Sequence, residues 1–389
     1  MKSLQDRKRC LLAILFVALT APLLLSPAAM ASGPTYLVYL GTYSGPSSRG
    51  IYALRFDAST GTTSSLGLAA ETINPSFLAA SPNGRYLYAV NEISDYEGKR
   101  SGAVSAFSVD HASGKLTLLN QVSSHGAGPC YVTMDRTGQY VLVANYDSGT
   151  VATFPVRANG KLGEAASVIE HSGHGANPKR QEGPHAHQIE LSPDNRFAIA
   201  VDLGLDKLLV YRFDGVRGVL RANDPPFAEV DAGSGPRHFV FTPDGKFAYV
   251  LEEMKSAITA FSYDRERGIF HKLQSTSSLP PTFRNHNDAA EIAVSPSGTH
   301  LYASNRGSDT IAVFAMGPEG GLKAIDYVPT GGKTPRGFAL DPTGSWLFAA
   351  NQASNNVVIF RMNQKTGHLR ASGQVVKVPT PAAVMFVKQ

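Results

Sequence analysis

A phrase of eleven residues occurs six times along the chain, and it limits the possible folds more than any other feature. Each copy has a tight turn, often small-Pro-x-Gly, then a β-rich run and a polar residue seven positions after the turn. The last turn residues are Gly84, Gly138, Asn195, Gly245, Gly298 and Gly344, spaced by 54, 57, 50, 53 and 46 residues. Self-similarity near this period indicates a propeller or a solenoid.

Each repeat unit also has the content of one blade of a propeller. A short apolar strand precedes the turn, as in residues 235–242, and a second strand follows it. A third strand comes next, as in residues 257–263, and a Gly-containing turn leads to a fourth, as in residues 114–122. Because no segment has a sustained helical period, the sequence predicts an all-β fold of four-stranded antiparallel blades.

The count of units predicts seven blades in a closed ring. Six complete units begin near residues 74, 128, 183, 235, 287 and 334. Residues 36–71 supply three outer strands, and residues 380–389 supply a lone inner strand. Strands from both termini would complete a seventh blade and remove the free sheet edges. We therefore predict a single seven-bladed β-propeller domain over residues 32–389.

The first 31 residues have the pattern of a secretory signal peptide. The basic residues Lys2, Arg7, Lys8 and Arg9 precede an apolar run over residues 11–25, and Ala29-Met30-Ala31 is a small-x-small cleavage site. We predict cleavage after Ala31 and a periplasmic or secreted protein. The alternative is an uncleaved membrane anchor, although the run is short for a spanning helix.

Removal of the signal peptide would change the charge and the cysteine content. The first 31 residues hold four Lys or Arg and one Asp, so the net charge falls from +5 to +2. A charge this small gives no reason to expect nucleic acid or an anionic membrane as a partner. Cys10 would leave with the signal and Cys130 would stand alone, which excludes an internal disulfide. The sequence does not indicate an oligomeric state.

Two columns of residues are predicted to meet at one mouth of the central channel, where the first strand of each blade starts and the second ends. The first column, eight positions before the turn residue, reads Ser76, Cys130, His187, Arg237, Ala290 and Arg336. The second, seven and eight positions after it, reads Asn91-Glu92, Asn145-Tyr146, Asp202-Leu203, Glu252-Glu253, Asn305-Arg306 and Asn351-Gln352. The repeat alone would place small or neutral residues here.

Five titratable residues in these columns predict a functional site at the channel mouth: His187, Arg237, Glu253, Arg306 and Arg336. The alternative is that these side chains are solvated or form structural ion pairs. The Asn residues of the second column are typical of side chains that satisfy turn backbone groups, with ligation of Ca²⁺ as the alternative.

A His-containing segment over residues 171–188 interrupts the repeat and is expected to lie over the same rim. It holds His171, His174, His185 and His187. The spacing permits a zinc site, but no Cys and no helical spacing supports one. We therefore predict no metal and no cofactor, and we expect His185 and His187 to contact substrate.

Five segments resemble a known protein family. They are LGTYS (40–44), NPKRQEGPHAHQ (177–188), GPRHFVFTPDGKFAYVLEE (235–253), YASNRGSDTI (302–311) and TPRGFALDPTG (334–344). They resemble the lactonase family of seven-bladed propellers, whose best-known activity is 6-phosphogluconolactonase and which has a fungal carboxy-muconate cycloisomerase as a relative. The resemblance covers essentially the whole of residues 32–389.

The resemblance implies a lactone-hydrolysing site and a set of catalytic residues. By motif, the family's proposed site maps onto His187 (or His185), Arg237, Glu253 and Arg306. Lactone hydrolysis needs a base for water and cations for the oxyanion. Glu253 or His187 is the candidate base, and Arg237 and Arg306 would hold the oxyanion or an anionic group of the substrate. We add His185, Arg336 and Glu252 as substrate-binding residues.

Three functions remain open on the sequence. The first is hydrolysis of a sugar lactone, either 6-phosphogluconolactone or, since the predicted signal peptide removes the protein from the cytoplasm, an unphosphorylated aldonolactone. The second is isomerisation of a carboxylated lactone. The third is a non-catalytic propeller whose rim binds a ligand or a protein.

Overall fold

Short β-strands make up almost all of the regular structure in the computed structural model, which describes residues 33–389. The predicted signal peptide over residues 1–31 lies outside the described residues. Within residues 33–389 no helix is long and apolar enough to cross a membrane. Residues Gly33–Gln389 form one compact unit. The predicted domain start at Ser32 stays a prediction.

The strands follow one another in chain order around the ring. The first three are β1 (Thr35–Thr42), β2 (Gly50–Asp57) and β3 (Thr62–Glu71). Blade 1 has β4 (Leu78–Ala80), β5 (Tyr86–Asn91), β6 (Ala103–Val109) and β7 (Leu116–Ser123). Blade 2 has β8 (Pro129–Met134), β9 (Tyr140–Asn145), β10 (Thr150–Pro155) and β11 (Ser167–Glu170). Blade 3 has β12 (Ala186–Leu191), β13 (Phe197–Asp202), β14 (Lys207–Asp214) and β15 (Val219–Glu229).

The second half of the ring continues the pattern. Blade 4 has β16 (Pro236–Phe241), β17 (Phe247–Glu252), β18 (Ala257–Asp264) and β19 (Ile269–Ser277). Blade 5 has β20 (Ala289–Val294), β21 (His300–Asn305), β22 (Thr310–Met316) and β23 (Leu322–Pro329). Blade 6 has β24 (Pro335–Leu340), β25 (Trp346–Asn351), a 3₁₀ turn (Gln352–Ser354), β26 (Asn356–Met362) and β27 (Leu369–Lys377). The last strand is β28 (Pro381–Lys388).

The seventh blade joins the two ends of the described chain. Its strand order is β28-β1-β2-β3, with β28 antiparallel to β1 from Tyr36↔Lys388 to Thr42↔Pro381. The other six sheets each hold four antiparallel strands, with neighbours in space following the chain order. The predicted seven-bladed propeller, closed by strands from both termini, is confirmed.

The repeated turn has the backbone conformation that its sequence predicts. The last turn residue has a positive φ in all six copies: 68° at Gly84, 73° at Gly138, 63° at Asn195, 68° at Gly245, 70° at Gly298 and 69° at Gly344. Glycine adopts this left-handed conformation at little cost, and Asn is among the few other residues that tolerate it. The turn therefore joins the first and second strands in each of these blades.

Apolar side chains fill the space between neighbouring blades, including the seam where the ring closes. At this seam Phe56 packs edge-on against Phe348, with 5.0 Å between ring centroids, and against Trp346. The Trp346 indole N–H donates to the carbonyl of Ala58 at 2.9 Å, so its one polar group is satisfied. The closing blade therefore packs against blade 6 through a satisfied apolar interface.

A register shift at the start of the inner strand re-aims one side chain in six of the seven blades. The pairing with the next strand skips Cys130, His187, Arg237, Arg336 and Ala382, and in blade 5 it skips Ala290 and Glu291. Such a bulge leaves one residue outside the hydrogen-bonded ladder and bends the strand. Five of the six residues of the first predicted column are skipped in this way (Cys130, His187, Arg237, Ala290 and Arg336), which explains why they depart from ordinary strand alternation.

Candidate active site

The two predicted columns meet at a small recess in the channel. Its lining includes the first-column residues Ser76, Cys130, Arg237 and Arg336 together with Glu92 of the second column. Phe77, His238, Glu291 and Ala382 complete the lining. The recess has a free volume of about 10 Å³, close to the space that one water molecule needs. The recess itself therefore has no room for a group much larger than water.

Three arginines converge on Glu253 at this mouth. Arg180 donates to Oε1 at 2.5 Å and Arg237 donates to Oε2 at 3.0 Å, while Arg306 forms an ion pair with Oε2 at 2.7 Å. The Glu253 side chain is 7% exposed and that of Arg237 is 3% exposed. Arg237 also donates to the carbonyl of Ala290, which holds the guanidinium in place. The structure thus brings together Arg237, Glu253 and Arg306.

These contacts decide the protonation state of Glu253. Burial by itself raises the pKa of this carboxyl, but Arg306, Arg237 and Arg180 outweigh it and lower the pKa to about 2. Burial and repulsion from Arg306 and Arg336 lower the pKa of Arg237 to about 10, so its guanidinium stays charged at neutral pH. Glu253 is ionised, but a carboxylate held by three cations is a weak base.

His187 lies deep beside this cluster. Its side chain is buried, with Nδ1 3.8 Å from Cys130 Sγ and its ring 5.0 Å from the His238 ring. Burial lowers the pKa of His187 well below its usual value, and the charges of Arg237, His238 and Arg336 lower it further. His187 is therefore neutral at pH 7, and the neighbouring cations oppose its uptake of a proton.

His185 stands nearer the surface than His187. Its ring stacks on Tyr146, with 4.5 Å between centroids, and Nδ1 lies 3.0 Å from the Tyr146 carbonyl. The other ring nitrogen lies 3.3 Å from a carboxylate oxygen of Glu182. Both nitrogens thus have acceptor oxygens beside them. His185 belongs to the rim but is not part of the arginine cluster.

Arg336 and Glu92 occupy another part of the recess lining. The Arg336 guanidinium lies over the Tyr43 ring at 5.1 Å and, among residues 33–389, has no acidic partner within 4 Å. The Tyr43 hydroxyl donates to Glu92 Oε2 at 2.7 Å, and the Ser76 hydroxyl donates to the same oxygen. Arg336 is therefore a cation that is free to meet an anionic group of a ligand.

Glu252, which we predicted to contact substrate, does not line the recess and lies inside blade 4. Glu252 is the last residue of β17 and is 1% exposed. Its Oε1 accepts a hydrogen bond of 2.5 Å from Thr259 inside blade 4. Successive strand residues point to opposite sides, so the channel receives Glu253 and the blade interior receives Glu252.

The Asn residues in the same column have the structural role that we weighed for them. The Asn91 amide donates to the Ile73 carbonyl at 2.6 Å and the Asn145 amide donates to the Ser124 carbonyl at 3.0 Å. Asn305 and Asn351 bond in the same way to Ser278 and Thr330. These bonds join each second strand to the preceding blade connection. Across residues 33–389 no three His, Cys, Asp or Glu side chains cluster as metal ligands would.

The segment over residues 171–188, which carries Arg180, is tied to blade 3 at several points. His171 Nδ1 lies 2.7 Å from Asp202, and its Nε2 lies 3.0 Å from the Tyr211 hydroxyl. Gln181 donates to the Leu203 carbonyl at 2.8 Å. His171 is therefore a buried anchor of this segment.

Sequence reasoning missed three side chains of this site: Tyr43, Glu92 and Arg180. Glu92 stood in the second column, Tyr43 in the LGTYS segment and Arg180 in the interrupting segment. Glu92 and Tyr43 had a usable signal, because each directly follows the end of a second strand of its blade. Arg180 had none, since nothing in an irregular segment predicts where its side chain reaches.

Comparisons with known proteins agree with this architecture. A family model described as lactonase, 7-bladed β-propeller, matches residues 37–386. A 6-phosphogluconolactonase of Bacillus subtilis is 37% identical over 91% of this chain and 99% of its own length. A second 6-phosphogluconolactonase, from Formosa agariphila, is 32% identical over 75% of this chain and 82% of its own. The solved structure of a periplasmic gluconolactonase from Pseudomonas aeruginosa has a TM-score of 0.83 and 34% identity, covering 91% of this chain and 99% of that one.

Proposed function

This chain belongs to the lactonase family of seven-bladed β-propellers, and we propose that it opens sugar lactones at the channel recess. It is a lactone-hydrolysing enzyme, a carboxylic ester hydrolase. The observation that supports the location is that Arg237 and Arg336 line a recess with room for about one water, and that Arg306 is joined to Arg237 through Glu253. Fixed cations in a site sheltered from solvent are what a developing oxyanion requires.

We assign the roles from the contacts of each side chain. Arg237 and Arg306 stabilise the oxyanion that forms when water adds to the lactone carbonyl. Glu253 holds these two guanidinium groups and Arg180 in position, a role that follows from its three ion pairs and its lowered pKa. His187 lines the deep part of the site as a neutral group, and His185 contacts the substrate at the rim.

The substrate class is an aldonolactone. The names of the relatives point to 6-phosphogluconolactone for the Bacillus subtilis protein and to gluconolactone for the periplasmic Pseudomonas aeruginosa protein. Arg336, which lacks an acidic partner within 4 Å among the described residues, can meet a phosphate or carboxylate on the substrate. We favour the unphosphorylated lactone, because residues 1–31 have the pattern of an export signal.

The test is a lactonase assay on purified residues 32–389. Glucono-1,5-lactone and its 6-phosphate are compared with spontaneous hydrolysis at the same pH, with and without chelator. We expect turnover above background that chelator leaves unchanged, and its loss in Arg237→Ala. A carboxylated muconolactone tests the isomerase alternative by product analysis. A folded protein without turnover on any of these lactones would contradict the proposal.

Export is tested separately, with the full chain. We expect the chain expressed with residues 1–31 to be found in the periplasmic fraction and to begin at Ser32 by mass spectrometry. The matched chain that starts at Ser32 should stay in the cytoplasm. A full-length chain that keeps its first 31 residues in the membrane fraction would instead support the uncleaved anchor.

A further inference from the structure

We propose that Glu92 is the general base that activates the hydrolytic water, an inference that rests on the proposed lactonase function. Glu92 follows β5 directly and takes in blade 1 the repeat position that Glu253 takes in blade 4. It lines the recess together with Arg237 and Arg336, and its side chain is half-buried rather than sealed. Water and substrate can therefore both reach its carboxylate.

The contacts of Glu92 leave one carboxylate oxygen available. Oε2 accepts hydrogen bonds from the hydroxyl groups of Tyr43, at 2.7 Å, and Ser76. Within residues 33–389, Oε1 accepts no hydrogen bond, and no Lys, Arg or His nitrogen lies within 4 Å of the carboxylate. Two neutral donors fix the orientation of the group without neutralising its charge, which is the arrangement that a general base needs.

The other candidates for the base are engaged. Glu253 uses both oxygens in ion pairs with three arginines, and its pKa is lowered to about 2. His187 is buried among cations that oppose its protonation. His238 places Nδ1 2.9 Å from Glu291, and His185 has an oxygen acceptor beside each ring nitrogen. Glu291 also lines the recess, but its carboxylate is held by His238 and by the Ile292 amide. Glu92 differs from these residues because, within residues 33–389, its Oε1 accepts no hydrogen bond and no Lys, Arg or His nitrogen lies within 4 Å of its carboxylate.

The volume of the recess matches the reagent that such a base would activate. The free space beside Glu92 is about 10 Å³, near the requirement of a single water molecule. Arg237 and Arg336 line the same space. A water held there lies beside the Glu92 carboxylate and beside Arg237, one of the two cations that would hold the oxyanion, as a general-base hydrolysis requires.

The proposed step balances as follows. Glu92 Oε1 takes a proton from water as the water oxygen bonds to the lactone carbonyl carbon, and the carbonyl π electrons move to its oxygen. Arg237 and Arg306 hold the resulting oxyanion. The tetrahedral intermediate then expels the ring oxygen, which takes the proton from Glu92. The product is the open-chain hydroxy acid, and one water is consumed.

The titratable groups around Glu92 determine which group a pH profile of the lactonase rate would report. The titratable and charged groups that face the recess are Tyr43, Cys130, Arg237, His238, Glu291 and Arg336. Burial raises the pKa of the Tyr43 phenol, so this group remains a donor. Burial likewise raises the pKa of the Cys130 thiol, which therefore stays protonated. Neither group supplies a second base near neutral pH.

The experiment compares Glu92→Gln with the parent residues 32–389 on the preferred lactone. The amide keeps an oxygen for the two hydroxyl donors but cannot take the proton. We expect kcat to fall by about 10²–10⁴-fold, with a much smaller change in KM. The fall in rate on the acidic side of the parent's pH profile should be absent in the variant. In Glu92→Ala, added formate should restore part of the rate.

The controls separate this proposal from the proposed function. Glu71→Gln makes the same chemical change at an exposed residue of β3 and should keep the parental rate. Circular dichroism and the melting temperature report whether each variant is folded. A parent enzyme without activity contradicts the proposed function. An active parent together with a folded, fully active Glu92→Gln variant, or an unchanged acidic limb, overturns the role of Glu92 alone.

Discussion

Glu92 and Glu253 take the same position in two blades of the same repeat, but their direct partners differ. Glu253 in blade 4 faces three guanidinium groups, whereas Glu92 in blade 1 faces two hydroxyl groups. The repeat therefore determines the position of each carboxylate, and the neighbouring side chains determine its chemistry. One carboxylate organises cations, and the other is left free to accept a proton.

The largest expected effect is the loss of stability when Glu253 is replaced. Glu253→Ala leaves three arginines, one of them buried, without their shared partner. Unpairing a buried charge costs about 3–5 kcal/mol, and we expect a fall of this size in the free energy of unfolding, measured with urea. Glu92→Gln should cost less than about 1 kcal/mol, since it breaks no ion pair. Equal losses in the two variants would remove the contrast between the two sites.

The next largest effect is the fall in kcat when a cation that would stabilise the oxyanion is removed. Arg237→Ala should lower kcat by about 10²–10³-fold, the size measured when one oxyanion donor is removed. Arg237→Lys should recover little of this rate, because an ammonium cannot reproduce the fork that contacts both Glu253 and Ala290. Initial rates corrected for spontaneous hydrolysis provide the measurement. A fully active Arg237→Ala enzyme would show that the cations near Glu253 are structural.

The third effect is a pH dependence that belongs to Glu253. Its pKa falls from 4.5 to about 2 on folding, so the unfolded chain binds more protons in this interval. Its contribution to stability is therefore complete above about pH 5 and decreases as the pH falls toward 2. The difference in unfolding free energy between the parent and Glu253→Ala should shrink by about 2 kcal/mol from pH 6 to pH 3. A constant difference would mean that the arginines do not hold this carboxyl ionised.

The smallest expected effect is the fall in kcat when Glu92 loses one of its two hydroxyl donors. Tyr43→Phe removes one hydroxyl donor from Oε2 but leaves the carboxylate and Ser76 in place. A hydrogen bond to a carboxylate is worth about 1.5–3 kcal/mol, less when a second donor remains, so we expect a fall in kcat of about 5-fold. Tyr39→Phe provides a control, because that buried hydroxyl has no hydrogen-bond partner among the described residues. A loss as large as that of Glu92→Gln would mean that Tyr43 itself takes part in proton transfer.

The repeat predicted which positions lie at the channel mouth, but it did not predict the direction of each side chain there. Both Glu252 and Glu253 were taken from the second column, but alternation along the strand sends Glu252 to Thr259 and Glu253 to the arginines. The bulge of the first strand recurs at one offset from the turn, so that offset was enough to place Arg237 and Arg336 in the lining of the recess. The sequence offered Glu253 as a candidate base, but it did not reveal that Arg180 pairs with this carboxylate and weakens it as a base.

By itself, the sequence determined the turn, the strand order, the number of blades and the closure by both termini, because these follow from local backbone preferences and from a period that can be counted. Tertiary structure alone decided the chemistry of each carboxylate. Arg180 meets Glu253 across 73 positions, and Tyr43 meets Glu92 across 49. A charged side chain responds to whatever lies within a few ångströms, and no local pattern records which distant residues the closed ring will bring there.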